Sequence, residues 1–233
     1  GLFFGLSTEA CQIRACREIR QADKPVLALA NVLAVTQPSW LPARDYLVSR
    51  FREQAERQTD PVEKEKLLAL ATDEVIGIIQ TAPAIAYAYA QLADLLVESP
   101  RLGLRIPPNI PNTAAALYRV ALDKRPQNQT TRLALAQQLE QAGQAREAFD
   151  LVNEDGMRWW QTLLVPDSER IAMLRYMIPR AIRFGLCEEA QSMAGTLLIF
   201  VPNSPLAKSV GDAIKITPAQ AANCGVNGDL PKE

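Results

Sequence analysis

The chain has 233 residues, 48% apolar and 22% charged, which suits one ordinary domain or one repeat array and excludes a disordered tail. With 25 basic against 26 acidic residues there is no cationic excess for nucleic acid. Histidine is absent, which removes Ser-His-Asp and Cys-His catalysis, histidine general bases and most zinc sites.

Residues 1–60 read as N-terminal helices forming a divergent or capping repeat. The apolar run Gly1-Leu2-Phe3-Phe4-Gly5-Leu6 is too short to span a bilayer and lacks the basic flank of a signal peptide. Two readings of this abrupt start stay open: the chain's own beginning, or the edge of a longer protein just after a membrane segment or linker. Cys11 and Cys16 are five apart, so on a continuous helix they point about 140° from each other and do not pair there.

A second region, 61–210, opens on a marked helix start. Asp60-Pro61-Val62-Glu63 offers an N-cap carboxylate, proline at N1 and glutamate at N3 ahead of Leu67, Leu68 and Leu70. The segment 99–112 holds four prolines and no helical pattern, where a turn of a few residues would suffice. Leu102, Leu104, Ile106 and Ile110 are too apolar for a solvated loop. The segment is expected either to fold back over a helix face, flanking or filling a groove, or to pack on the outside as an insertion.

Further on, Leu133, Ala136, Leu139 and Ala142 recur at three-residue steps among polar residues, which predicts an amphipathic helix. Trp159 and Trp160 are expected to serve packing between helices. Arg170, Arg175, Arg180 and Arg183 lie close together, and Arg180 and Arg183 can share a side of a helix. Such arginines most often pair with acids on a neighbouring helix; the alternative is a stripe that holds a carboxylate or phosphate. Pro179 interrupts the run and predicts a kink. Ser204-Pro205 and Thr217-Pro218 mark two further helix starts, the last within a C-terminal cap and tail, 211–233.

Strand alternation is weak throughout, so the chain reads as all-α. Prolines at 38, 83, 126, 166 and 202 are spaced by 45, 43, 40 and 36 residues, and four of the five follow an apolar helix. Proline closes a helix and starts a linker, so these mark successive helix pairs. Gly143 and Ala148, then Gly185 and Ala190, repeat a glycine turn followed five residues later by a close-packing alanine.

Gly185, Ala190 and Pro202 fall at positions 15, 20 and 32 of a unit of about 34 residues, and Ala114, Tyr118, Ala121 and Pro126 match its second helix. In this the chain resembles the tetratricopeptide repeat family, with Arg132 where the family carries its early tryptophan. The resemblance implies a superhelix of antiparallel helix pairs, an α-α solenoid, with a groove lined by the first helix of each pair. In that frame the groove residues are Asp45, Ser49, Arg52, Tyr87, Ala90 and Asp94, then Thr130, Leu133, Gln137, Glu140, Ala172, Arg175, Ile182 and Arg183. The abrupt start, paired cysteines and diverged repeats are also similar in layout to the periplasmic repeat domain of O-antigen ligase or polymerase-type bacterial envelope proteins. That similarity implies an extracytoplasmic setting beside a membrane-spanning region; a cytoplasmic one is the alternative.

A bridge from Cys187 to Cys224 would pin the C-terminal tail. No C-x-x-C, phosphate loop or nucleophile motif occurs, so neither metal, cofactor nor catalysis is expected of this segment. The function expected is capture of a protein or peptide segment. The alternatives are an accessory domain holding an anionic glycan or lipid headgroup on the arginine stripe, and a structural spacer or self-associating module.

Overall fold

The computed structural model describes residues 24–160, 165–213 and 224. The N-terminal cysteines Cys11 and Cys16 and the expected cap at Thr217-Pro218 lie outside them. Among the described residues the protein is all-α, with eleven α-helices and no strand. Two compact units divide the chain at Lys124 and Arg125. The division falls just before Pro126.

The first unit contains α1 (Lys24–Thr36), α2 (Leu41–Arg57), α3 (Pro61–Thr81), α4 (Ala86–Glu98), a short 3-10 helix (Pro100–Arg105) and α5 (Ala114–Lys124). Each helix packs on the next, most extensively α2 on α3 and α4 on α5. The core between them holds Leu47, Val75, Ile78, Leu92, Leu95 and Leu117, all essentially out of water. Helix α3 starts as its sequence demands: the Asp60 carboxylate accepts the Val62 N–H at 2.9 Å, with Pro61 next. Glu63 does not close a capping box: the Asp60 N–H donates to Gln58 Oε1 instead, and Glu63 pairs with Lys66 at 2.5 Å. The Arg44 guanidinium ties three helices, donating to Glu74 on α3 and to the Ala34 carbonyl on α1.

The proline-rich segment corrects two expectations. It is partly helical, and its four apolar residues do not act alike. Leu102 and Ile110 are buried, at 2% and 5% exposure, whereas Leu104 is 93% exposed. Arg105 pairs with Asp73 and Ser99 donates to Glu65, both acids on α3. The segment therefore packs on α4 and is tied by polar contacts to α3.

The second unit contains α6 (Gln129–Gln141), α7 (Ala145–Asp150), a π-helical stretch (Leu151–Gly156), α8 (Met157–Trp160), α9 (Asp167–Arg183), α10 (Cys187–Phe200) and α11 (Pro205–Ala213). Gly143 and Gly185 both have positive φ, 82° and 72°. Around each the same two bonds recur: Gln144 N–H to Leu139 and Gly143 N–H to Glu140, then Leu186 N–H to Ala181 and Gly185 N–H to Ile182. Each is a helix end satisfying its last carbonyls through a left-handed glycine. Ala148 and Ala190, five residues on, are fully buried.

The apolar register of α6 differs from the expected one. Its buried line is Arg132, Leu135, Ala136 and Leu139, while Leu133 is half-exposed and Ala142 exposed. Helix α9 continues unbroken through Pro179. Trp160 meets the Phe200 ring edge-on at 6.3 Å, a packing role. Cys187 and Cys224 form a disulfide bond, with Cys224 buried.

Candidate functional site

In the first unit the predicted groove residues of α2 and α4 sit in a hydrogen-bonded set. The Tyr87 phenol on α4 donates to Asp45 Oδ2 on α2 at 2.8 Å. One turn pair further along α4, Asp94 accepts from the Tyr118 phenol of α5 at 2.6 Å. Burial, then the carboxylate partner, drives both phenols far above the usual tyrosine range. They are fixed proton donors, not bases. Arg52 on α2 is half-buried, and its charge reaches Tyr118. The Asp45 carboxyl is itself raised, burial outweighing the bond from Tyr87. Ser49 is exposed and Ala90 half-buried.

In the second unit α6 and α9 frame an open trough of about 380 Å³ lined by Thr130, Leu133, Ala134, Gln137, Ser168, Glu169 and Ala172. Four of these, Thr130, Leu133, Gln137 and Ala172, are residues the repeat frame assigned to the groove. The spacing of Thr130, Leu133 and Gln137 on α6 puts them on one side of that helix, opposite the buried line through Leu135 and Leu139, and Ala172 comes from α9. Glu169 was not foreseen. It sits in the first turn of α9, where the helix dipole favours a carboxylate, and accepts the Gln129 N–H and the Thr130 hydroxyl, each at 3.3 Å.

Further along the same two helices Glu140 and Arg180 form a bidentate ion pair; Arg180 Nη2 reaches Glu140 Oε2 at 2.7 Å. The Arg180 guanidinium also covers the Tyr176 ring at 3.6 Å. The Arg180 bond holds the Glu140 carboxyl below its ordinary value, against the effect of burial. Burial pushes the Tyr176 phenol up to about 12.

The arginine stripe is thus not one surface. Arg180 pairs with Glu140, and Arg170 pairs with Asp167 and lies over the Trp160 ring. Arg175 and Arg183 are exposed. Ile182, assigned to the groove, is a core residue at 6% exposure. The sequence named Arg180 as an arginine that pairs with an acid of a neighbouring helix, and Glu140 is that acid, but it did not single out Glu169 or Tyr176; the partners of Tyr118, Glu169 and Arg180 lie 24 to 40 positions away on another helix. Only the fold brings such partners together.

Among the described residues no group of three or more cysteines, aspartates and glutamates is placed to hold a metal ion. No helix among them is long and apolar enough to cross a membrane. No protein-family model matches the chain, and no curated protein matches it.

Proposed function

We propose that the chain is a non-catalytic interaction module, a divergent tetratricopeptide-like stack of helix pairs, and that the trough between α6 and α9 receives a peptide or protein segment. The observation that carries this reading is the trough itself. Two first helices, 129–141 and 167–183, stand side by side with Thr130, Leu133, Gln137 and Ala172 facing a common space of about 380 Å³. That volume admits one or two side chains with their backbone. Half-exposed Leu133 supplies apolar contact area, and the polar rim supplies orientation. The repeated glycine turns and buried alanines support the repeat assignment, because they set the tight return between paired helices.

The Cys187–Cys224 bridge supports a periplasmic or otherwise extracytoplasmic setting, where disulfides persist; service to cell-envelope glycan assembly belongs to the proposal on the layout resemblance alone. The anionic-ligand alternative is weakened by the internal partners of Arg170 and Arg180.

Amide shifts of the ¹⁵N-labelled chain separate the two. A peptide selected from a random library is expected to move Thr130–Gln137 and Ser168–Ala172, with little change on adding salt. Phosphatidylglycerol vesicles that move Arg175 and Arg183 instead, and let go at high salt, would overturn the peptide reading.

A further inference from the structure

We infer that the α6–α9 trough selects an extended partner segment in which an aliphatic side chain stands beside a lysine or arginine. This rests on the peptide-capture reading and specifies its ligand. The floor is Leu133, Ala134 and Ala172, and the two alanines leave a recess that an aliphatic side chain fills. Gln137 is exposed on the rim, with an amide that both donates to and accepts from an extended backbone.

Among the described residues Glu169 is the one charged side chain lining the trough. Its two present bonds, from the Gln129 N–H and the Thr130 hydroxyl, are long at 3.3 Å. A carboxylate offers about four acceptor positions, so an ammonium or guanidinium still finds a place on it. Arg175, one turn beyond Ala172 on α9, is not part of the lining. A basic group entering here meets its opposite charge, whereas an acidic one meets repulsion. The floor supplies affinity, and Glu169 supplies sign.

A random decapeptide display library panned on the immobilised 233-residue chain provides the probe, and the best peptide is then titrated calorimetrically. Enriched sequences are expected to place Lys or Arg one or two residues from Leu, Ile or Val. Glu169→Gln is expected to weaken binding about tenfold, the loss of one charged contact. Glu169→Lys is expected to reject that peptide and accept its Lys-to-Glu version. Leu133→Asp is expected to abolish binding, and Ala172→Trp, which fills the recess from the other helix, to repeat the loss. Peptides that depend on Leu133 and Ala172 but carry no basic residue, or ignore Glu169→Gln, overturn the charge selection alone. No enrichment, or binding indifferent to both trough variants, overturns the capture reading beneath it.

Discussion

Glu140 on α6 and Asp45 on α2 are both part-buried carboxylates, yet their surroundings move them in opposite directions. Glu140 is held ionised by Arg180, and its carboxyl titrates below the ordinary 4.5. A lowered folded value means that the ion pair contributes in full above the unfolded value and is lost as pH falls through the folded one. Glu140→Gln is therefore expected to cost about 1 kcal/mol at neutral pH, a charged bond discounted for partial exposure, and almost nothing in strong acid. Asp45 is raised above the ordinary 3.8 by burial. Its ionised form is penalised in the folded state above that raised value, and the penalty fades as pH falls through it. Asp45→Asn keeps an acceptor for Tyr87 and is expected to raise the melting midpoint at neutral pH, with the gain disappearing in acid. Urea melts of both variants at neutral and acid pH check the pair; parallel pH responses would contradict the assignment.

At the scale of the element, the informative residue is Arg132. It is buried at 3% exposure in α6, donating to Gln129 Oε1 at 2.7 Å and to the Pro126 carbonyl at 2.6 Å. Asp155, in the π-helical stretch, acts against the burial of its charge. Arg132 thus fastens the linker proline to the start of α6. Arg132→Ala leaves one buried and one part-buried acceptor without a donor and is expected to cost about 2–4 kcal/mol by denaturant melting. A contrasting pair tests the proline-rich segment. Leu102→Ala opens a cavity against α4 and is expected to cost about 2–3 kcal/mol, while Leu104→Ala, on a side chain in water, is expected to leave the midpoint unchanged.

These elements also mark how far the sequence could be read. Asp60 with Pro61, and Gly143 and Gly185, announce helix ends by local chemistry, and the structure uses them in that role. The register of α6 was not legible, because alanine fits either face and an arginine occupies a core position. Leu102 and Leu104 are chemically alike, and only the surface of α3 and α4 decides which is covered. The trough was half legible: a repeat frame places Thr130, Leu133 and Gln137 on one side of a helix, but Glu169 enters through the neighbouring α9.

For the whole molecule, two compact units meeting in sequence at Lys124 and Arg125 predict that a change in one spares the other. The disulfide gives the means to test this. Cys224 is 5% exposed and has φ 50°, a left-handed backbone that a non-glycine residue keeps only when its surroundings hold it. Its bond to Cys187 closes a separation of 37 residues, which in the chain-entropy account restricts the unfolded state by roughly 3–4 kcal/mol. Cys224→Ser, or mild reduction, is expected to lower the stability of α9 and α10 by about that amount. Amide exchange on those two helices should accelerate by two to three orders of magnitude, since every 1.4 kcal/mol is about tenfold. Exchange on α2 and α3 should hold its rate. Equal acceleration across both units would mean that the chain opens as one body, and the trough on α6 and α9 would then answer to contacts far outside its own unit. Acceleration confined to the second unit instead makes the bridge a local brace for the helix that carries Glu169, so that loss of the bridge should also weaken whatever the trough holds.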